Sequence, residues 1–537
     1  MQPNSLSDAH YQTAPSKCSA QTLHRQIGAC LLNYKFESYQ TGACLLNHNF
    51  DAYQTGACLL NYKYKAYQTG TLNVQRTLRE TDSPPERPQN PRRKAKPRAA
   101  IYPRTRRLTL LPFLCRAFHR PQQVPHQQTD GPTARNRMKK EIYVTGAGIV
   151  SALGLGKDAN LRALINQQSG VRPIQFLETA HRDLPSGEVK HSNDALCEQL
   201  GIPPTEAFIR SSLLAIPAVK EALEQARIGE LAPTARVALL SGITVGGMDK
   251  AEQYYDDFLQ NDSRNAYIEL NDCGACTEQI ADFFGSRFTL VSTIVTACSS
   301  SANALMQGAE LLRSGRADVV VAGGCECLSR YHVNGFNTLK ILDPDVCRPF
   351  DRDRAGINLG EGAGYVVLET AEHARARGVR PIGRLSGAAN ACDAYHPTAS
   401  SPDGLGPYLV MQQAVQDAGL TPDDIDYINA HGTGTPNNDL TEGFAAMRLF
   451  GDRVPPIASV KAYTGHTTSA AGSIEAIIAL LAIEHQFLPI NLHFRTPIPE
   501  HNFRPLTDPQ PTRPVRHILS NSFGFGGNDS ALVLSAV

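Results

Sequence analysis

Residues 291–305 read Val-Ser-Thr-Ile-Val-Thr-Ala-Cys-Ser-Ser-Ser-Ala-Asn-Ala-Leu, and this stretch decides the fold. Its β-branched residues predict a strand that leads into Cys298. Beyond the cysteine, small and apolar residues recur at helical spacing as far as Gly315, which ends the helix. The sequence therefore predicts a strand, a turn and a helix, with Cys298 at the turn.

A cysteine at the start of a helix has a distinctive electrostatic environment. The first N–H groups of a helix have no partner within it, and they form the positive end of the helix dipole. This predicts a lowered pKa for the Cys298 thiol and a site that can bind an oxyanion. A structural cysteine in a serine-rich helix start is the alternative, and this segment alone does not decide between them.

Outside this stretch, strand-like and helical patterns alternate over residues 138–537. Apolar β-branched runs such as Val237–Leu240 and Tyr365–Leu368 are separated by helical segments. This alternation predicts an α/β fold with a mostly parallel sheet covered by helices. The opening EIYVTGAG (residues 141–148) is weakly echoed by PIGRLSGAAN (residues 381–390), which indicates two duplicated halves.

Residues 1–137 differ in character from the rest. GACLLN recurs at 28, 42 and 56, and residues 83–137 are rich in Pro and Arg. A 14-residue period fits no solenoid, whose units span about 20–50 residues. The segment holds 20 of the 52 Lys and Arg residues but 7 of the 51 Asp and Glu residues, so it is basic and the remainder is acidic.

Three interpretations of this segment stay open. A repeat translated from a misplaced start is favoured, because Met138 is the first methionine after Met1 and opens the strand-like MKKEIYVTG. A disordered interaction arm and an organelle transit peptide are the others. The sequence predicts an extension over residues 1–137, a half with the nucleophile over residues 138–385, and a second half over residues 386–537.

The thirteen cysteines form no regular framework, which favours a reducing compartment and the cytoplasm. The pairs Cys273/Cys276 and Cys325/Cys327 lack a second ligand pair at zinc-site spacing, so we expect buried thiols and no metal. We find no run of about 20 apolar residues and expect no membrane span.

Two histidines lie in turns of small residues. His431 belongs to NAHGTGTP (residues 429–436) and His466 ends SVKAYTGH (residues 459–466), where small neighbours let an imidazole face a cavity. A single histidine is more often structural, but two such turns with Lys461 and Glu475 nearby favour a catalytic site. The glycine-dense NSFGFGGND (residues 521–529) predicts either a plain tight turn or a main-chain amide directed at a thioester oxygen.

Taken together, these segments resemble the β-ketoacyl synthase family of the elongating Cys-His-His type. The resemblance covers nearly all of residues 138–537, and its motifs stand in the family's order: TACSSSANAL, RPFDRDRAGINLGEGAG, NAHGTGTP, SVKAYTGH and NSFGFGGN. It implies a thiolase-like fold, in which two duplicated halves form a layered α-β-α-β-α arrangement. It also implies a dimer.

The resemblance implies a role for each residue of the motifs. Cys298 resembles the nucleophile that accepts the acyl chain, while His431 and His466 resemble the pair that binds the malonyl thioester carbonyl as CO2 leaves. Lys461 and Glu475 match supporting positions that orient the second histidine and organise the site.

The resemblance also implies an oxyanion hole and a set of partners. The main-chain amides of Cys298 and Phe525 correspond to the oxyanion hole, and the Phe525 side chain to a gate for the acyl chain. The implied partners are acyl- and malonyl-loaded acyl carrier protein and a second subunit, either identical or a related ketosynthase chain. No metal or organic cofactor, nucleic acid or membrane is implied.

Several positions depart from the family pattern, and we expect none of them to affect the catalytic residues. They are Asn437–Asp439, Asn528-Asp529, Ile357-Asn358 and Thr467–Ser469. These departures cast doubt on housekeeping fatty-acid elongation and point towards a specialised polyketide, for example a polyene.

Other activities fit the sequence less well. A thiolase needs a second cysteine near the C-terminus, but the last cysteine is Cys392, and a starter-type synthase has an asparagine where His466 stands. A non-catalytic chain-length factor or scaffolding subunit would lack the nucleophile or retain only a vestigial site. A cysteine hydrolase would pass the acyl group to water.

Overall fold

The computed structural model describes residues 140–261, 265–285 and 287–537. The predicted extension over residues 1–137, with its repeats and Met138, lies outside the described residues.

The strands of the described chain are, in order, β1 Ile142–Ser151, β2 Gly154–Leu155, β3 Arg172–Pro173, β4 Pro185–Ser186, β5 Val237–Gly242, β6 Leu290–Ile294, β7 Val319–Glu326, β8 Gly362–Thr370, β9 Gly383–Cys392, β10 Tyr427–Asn429, β11 Ile457–Ala458, β12 His517–Gly524 and β13 Asn528–Ser535. The helices are α1 Lys157–Ile165, α2 Asn193–Leu200, α3 Arg210–Gln225, α4 Met248–Asn261, α5 Ala266–Glu269, α6 Cys273–Phe283, α7 Ser300–Arg313, α8 Arg330–Thr338, α9 Ala371–Arg377, α10 Leu405–Asp417, α11 Pro436–Phe450, α12 Lys461–Thr464 and α13 Ala471–His485.

The main sheet has eleven strands, which are two sets of five with the same topology and the short β2, which pairs with β1. The first set runs β1-β8-β7-β5-β6 and the second runs β9-β13-β12-β10-β11. In each set the first two pairings are antiparallel and the last two are parallel. A short antiparallel pairing of β1 with β9 joins the sets. This repeated order confirms the predicted α/β fold with duplicated halves.

The sheet differs from the mostly parallel one that the sequence predicts. The last strand of each set, β8 or β13, returns between two strands that precede it in the chain. Strand order depends on contacts between distant segments, so a local alternation of helices and strands does not reveal such a return. We propose that the second half begins with β9 at Gly383, close to the boundary predicted at residue 385.

Two glycines explain the weak sequence similarity between the two halves. A Cβ atom at Gly146 in β1 would lie 2.2 Å from the carbonyl oxygen of Ala222 in α3. A Cβ atom at Gly387 in β9 would lie 2.2 Å from the carbonyl oxygen of Ala414 in α10. Each half therefore needs a glycine where a helix crosses its first strand closely.

Helices cover both outer faces of the sheet and fill the layer between its halves. Helix α3 packs on β1, β7 and β8, and α10 packs on β9, β12 and β13. Between the two sets, α7 and α13 contact each other and strands of both. The residues Thr468–His485 have the length and hydropathy of a membrane span, but 89% of this window is buried, as in the core helix of a globular protein.

Candidate active site

The turn that carries Cys298 is conformationally strained. Ala297, which precedes it, has a φ angle of 52°, in the left-handed region that costs a non-glycine residue about 1–2 kcal/mol. The chain leaves β6 and enters α7 at Ser300, two residues beyond the cysteine. The strand, turn and helix predicted around Cys298 are therefore present.

Both histidines share a cavity with this cysteine. The Nε2 atom of His466 is 3.0 Å from Sγ of Cys298. The rings of His431 and His466 meet edge to face, with their centroids 5.3 Å apart. All three side chains line one cavity of about 310 Å³, although 168 residues separate Cys298 from His466 in the sequence. The fold thus brings the sequence-predicted nucleophile and both histidines together.

The two imidazoles are neutral at physiological pH. Burial lowers the pKa of His431 and of His466 well below the usual 6.5, and the nearby charge of Lys461 lowers both further. A neutral imidazole keeps one N–H donor and one acceptor nitrogen. The pair can therefore donate hydrogen bonds to an oxygen on which negative charge develops.

The thiol of Cys298 does not have the lowered pKa that the sequence predicts. Burial raises its pKa to about 11, although the main-chain amides of Phe525 and of Cys298 itself, together with the charge of Lys461, oppose this change. The prediction is wrong because it considered the helix start alone. The packing of distant segments removes the sulfur from water, and this desolvation outweighs the helix start.

The raised pKa predicts a characteristic pH dependence of thiol reactivity. We expect the iodoacetamide alkylation rate of Cys298 to rise about tenfold per pH unit between about pH 7 and pH 10, because the thiolate fraction grows tenfold per unit below the pKa. Peptide mass spectrometry would resolve the rate at Cys298 from that at the half-buried Cys197. A plateau near neutral pH would contradict a resting thiol.

Lys461 and Glu475 form a buried ion pair on the second half. The Nζ atom of Lys461 donates to Oε1 of Glu475 over 2.6 Å, and both side chains are almost inaccessible to solvent. Burial raises the pKa of Glu475 to about 7, against the opposing effect of the lysine. The charge of Lys461 lowers the pKa of Cys298 and of both histidines.

Glu442, on α11, fixes the loop of His431, and it is not among the site residues predicted from the sequence. Its Oε1 accepts from the main-chain N–H of His431 at 2.9 Å, and its Oε2 from that of Gly432 at 2.8 Å. The Nδ2 atom of Asn521 donates to Oε1 as well, at 2.9 Å. An acidic residue in a helix usually lies on a solvent-exposed face. In the sequence, only the position of Glu442 one turn after Asp439 indicated that it could be buried.

Replacing Glu442 with alanine should destabilise the loop of His431. We expect a loss of about 2–5 kcal/mol in the free energy of unfolding, because two main-chain N–H groups and the Asn521 amide would lose their buried acceptor. Denaturant unfolding measures this loss. Glu442→Gln retains one acceptor oxygen and should lose less, and equal losses in both variants would contradict the proposed contacts.

The main chain of His466 is held by a segment that departs from the family pattern. Its N–H donates to the carbonyl oxygen of Asn358 over 2.7 Å, and its carbonyl accepts from Gly360 N at 2.9 Å. The buried Asn358 side chain accepts from Cys347 N at 2.7 Å and donates to Asp345 O over 2.9 Å. The Asn358 side chain thus fixes the segment whose main chain holds His466, and the expectation that such departures leave the catalytic residues unaffected stays a prediction.

Phe525 stands at the side of the cavity, in the turn between β12 and β13. Its ring stacks on Phe336 of α8, with centroids 5.7 Å apart and planes 16° from parallel. Its main-chain amide is directed at Sγ of Cys298 from the opposite half of the fold. Ile341 and Ile357 form an apolar side of the cavity, whereas Thr433 and neighbouring polar residues line another.

The other cysteine motifs lie apart from the catalytic cavity. Sγ of Cys276 is 3.7 Å from Sγ of Cys325, and burial raises the pKa of the Cys276 thiol well above its usual value. Over residues 140–261, 265–285 and 287–537, no group of three or more His, Cys, Asp or Glu side chains is arranged to hold a metal ion.

Comparisons with known proteins agree with this geometry. Residues 139–374 match the family model of the β-ketoacyl synthase N-terminal domain, and residues 382–495 match that of its C-terminal domain. The chain is 33% identical to 3-oxoacyl-[acyl-carrier-protein] synthase 2 of Coxiella burnetii, over 74% of this chain and 99% of the relative. It is 32% identical to nodulation protein E of Rhizobium meliloti, over 74% and 100%.

A solved structure shares the fold. The ishigamide ketosynthase/chain length factor superposes with a TM-score of 0.68 and 31% sequence identity, and the match covers 74% of this chain and 100% of that one. The family models together span more than half of the sequence, and they include Cys298 and both histidines. The resemblance seen in the sequence motifs is thus confirmed, and the chain belongs to the β-ketoacyl synthase family.

Proposed function

We propose that this synthase joins a malonyl unit on acyl carrier protein to an acyl chain held on Cys298, in a decarboxylative Claisen condensation. The proposal rests on the arrangement of these three catalytic side chains. Sγ of Cys298 lies against Nε2 of His466, the ring of His431 meets that of His466, and all three side chains face one cavity.

In the first half-reaction, Sγ of Cys298 attacks the thioester carbonyl of an acyl-carrier. Because the resting thiol is protonated, Nε2 of His466 takes the proton as the C–S bond forms. The amides of Cys298 and Phe525 stabilise the negative oxygen of the tetrahedral intermediate. The carrier thiolate leaves and regains the proton, so that an acyl-enzyme and a free carrier thiol result.

In the second half-reaction, malonyl-carrier enters the emptied cavity. His431 and His466, the latter with its proton now on Nε2, donate hydrogen bonds to its thioester oxygen, which becomes an enolate oxygen as the C–C bond to CO2 breaks. The enolate carbon then attacks the acyl thioester on Cys298. The intermediate collapses, the sulfur leaves as a thiolate and takes up a proton from solvent, and a β-ketoacyl-carrier is released.

The remaining predicted residues support these steps. We propose that the charge of Lys461, held by Glu475, keeps both imidazoles neutral and helps to stabilise negative charge on the sulfur. Phe525 gates the acyl chain, since its ring covers one side of the cavity beside Phe336.

The release of CO2 from malonyl-carrier tests this function. We expect one CO2 for each β-ketoacyl-carrier formed, and none of the longer product without an acyl donor. A chain-length factor or scaffold would release no CO2 and would not load Cys298. A cysteine hydrolase would convert the acyl-carrier to free acid without consuming malonyl-carrier.

We further propose a specialised polyketide or polyene chain, with housekeeping fatty-acid elongation as the alternative. The departures Asn358 and Asn528 and the similarity to the ishigamide ketosynthase support a specialised pathway. Loading of Cys298 from paired saturated and polyunsaturated acyl-carriers of equal length distinguishes the two. Preferential loading of the polyunsaturated chain supports the proposal, and preference for the saturated chain contradicts it.

The carrier protein is an acidic partner in general, and Lys340 lies at the cavity. We propose that this lysine contributes to local electrostatic attraction of the carrier protein, because the body of the chain is itself acidic.

We also propose a cytoplasmic location, where the catalytic thiol stays reduced. Cys298 and six other cysteines of the described residues, among them Cys276, Cys325 and Cys347, are free thiols, and this supports the same compartment.

The second subunit has a suitable edge to bind. Strand β6 ends the first set of the sheet, and its Val291 side chain is 39% exposed. An edge strand with an exposed apolar residue is suited to pair with another chain. We propose that β6 pairs with the same strand of a second copy or with a related ketosynthase chain.

Charge on this edge should dissociate the dimer. We expect Val291→Lys to shift the mass measured by light scattering from dimer to monomer, because pairing would bring two like charges together. Ile165→Lys on α1, at a residue 52% exposed, is the matched control and should stay dimeric. A dimeric Val291→Lys variant would contradict pairing through β6.

A further inference from the structure

Three asparagines meet behind the nucleophile turn, and we infer that they set the spacing between the two amides of the oxyanion hole. We call Asn303, Asn390 and Asn528 the asparagine cluster. The inference rests on the proposed function, and it assigns a positioning role to residues that do not touch the reacting atoms.

The centre of the asparagine cluster is a single oxygen atom. Oδ1 of Asn528 accepts from Ser299 Oγ at 2.7 Å, from Asn303 Nδ2 at 2.9 Å and from Asn390 Nδ2 at 2.8 Å. Ser530 Oγ in turn donates to Oδ1 of Asn303 over 2.9 Å. The single hydroxyl proton of Ser299 is shared between this oxygen and the carbonyl oxygen of Thr296, 2.8 Å from Oγ, whereas a side chain without the Asn528 oxygen would remove one acceptor from each of the Asn303 and Asn390 amides.

These contacts connect both sides of the oxyanion hole. Ser299 follows Cys298 directly, and Asn303 lies in the first turn of α7. Asn528 follows the turn that holds the Phe525 amide. The backbones also approach closely here, since a Cβ atom at Gly524 would lie 3.0 Å from the carbonyl oxygen of Thr296.

The spacing of the two amides requires such a connection. One amide belongs to the half with Cys298 and the other to the half with Phe525, and both are directed at the same sulfur. Oxyanion donors act only when they are held close to the position of the developing charge, within about 0.5 Å. Asn528 bridges these halves beside both amides.

The choice of residue also bears on this role. Asn528 is one of the positions that depart from the family pattern, which we expected to leave the catalytic residues unaffected. An amide side chain reaches farther than a hydroxyl and offers a carbonyl oxygen to three donors at once. Through this oxygen, Asn528 connects Ser299 of the nucleophile turn with Asn390 of β9.

Asn528→Ala tests the inference in the full-length protein. We expect kcat for condensation to fall about tenfold or more, while the KM for malonyl-carrier changes less than about threefold, because displaced oxyanion donors weaken the transition state more than substrate binding. The alkylation rate of Cys298 at fixed pH should fall too, since both amides favour the thiolate. This alkylation assay needs no carrier substrate.

A second asparagine serves as the structural control. Asn160 on α1 is buried, accepts from Ser151 Oγ and donates to the carbonyl oxygens of Gly154 and Gly156. Asn160→Ala should lower the melting temperature without changing kcat or alkylation. Asn528→Asp, which keeps the acceptor oxygen, should restore kcat to within about threefold of the wild type.

The outcomes separate the inference from the proposed function. If the wild type neither loads nor condenses, the proposed function fails, and alkylation alone then decides on the positioning role. If Asn528→Ala keeps the wild-type kcat and alkylation rate, or changes no more than Asn160→Ala, the inference is overturned. Should Asn528→Ala not fold, Asn390→Ala, which removes one donor from an exposed position, should lower kcat in the same direction, and an unchanged kcat overturns the inference.

Discussion

Replacing Cys298 with alanine is expected to abolish acyl loading and to lower the condensation rate by about 10³-fold or more, because no other group can form the acyl-enzyme. Intact-mass analysis after incubation with acyl-carrier measures loading directly. The wild type should gain the mass of one acyl chain, and Cys298→Ala should gain none.

The same variant should still decarboxylate malonyl-carrier. Decarboxylation needs the hydrogen bonds of His431 and His466 and does not need the sulfur, so CO2 release without condensation is expected. Cys197→Ser is the matched control, since Cys197 lies on α2 and does not line the cavity. Loading of Cys298→Ala, or loss of loading in Cys197→Ser, would place the nucleophile elsewhere.

Replacing His431 with alanine is expected to produce the complementary defect. CO2 release from malonyl-carrier should fall about 10²- to 10³-fold, because one of two donors to the enolate oxygen is lost. Acyl loading of Cys298 should persist, since Nε2 of His466 remains 3.0 Å from the sulfur. Isotope-labelled malonyl-carrier measures the first reaction and intact mass the second.

The second histidine provides the comparison. His466→Ala removes both the neighbour of the thiol and one enolate donor, so it should impair loading and CO2 release together. If His431→Ala and His466→Ala behaved alike in both assays, the division of roles between the two imidazoles would be contradicted. Phe350→Leu, beside the same loop but outside the cavity, is expected to keep both activities.

Much of the fold could be predicted because its signals are local. The strand, turn and helix around Cys298 follow from the order of β-branched, small and apolar residues along 15 positions. The duplication left a visible trace in Gly146 and Gly387, since close helix packing requires a glycine in both halves. The antiparallel placement of β8 and β13 left no such trace in the sequence, because it depends on pairing between distant segments.

The catalytic side chains were predictable, and their electrostatic state was not. Cys298, His431 and His466 stand in recognisable turns, which the fold brings into one cavity. The pKa of Cys298 depends on how far distant segments exclude water from it, and the helix start alone suggested the opposite direction. Glu442 was missed for a related reason, because a buried acid and a solvated acid look the same in a sequence.

Two residues that depart from the family pattern, Asn358 and Asn528, make hydrogen bonds close to the active site that their residue types did not predict. Asn358 changes no catalytic side chain, yet its amide side chain fixes the segment whose main chain holds His466. Asn528 likewise lies outside the cavity, yet it contacts Ser299 beside the nucleophile. Their importance comes from hydrogen bonds that join segments more than 100 residues apart.

A single-turnover transfer experiment tests whether the acyl chain on Cys298 is joined to a malonyl unit. The enzyme is loaded with an isotope-labelled acyl chain, separated from free carrier, and mixed with unlabelled malonyl-carrier. We expect the label to leave Cys298 and to appear in a β-ketoacyl-carrier whose acyl chain is two carbons longer, with one CO2 released for each chain transferred. Label that stays on the enzyme, or that appears as free acid, would contradict it.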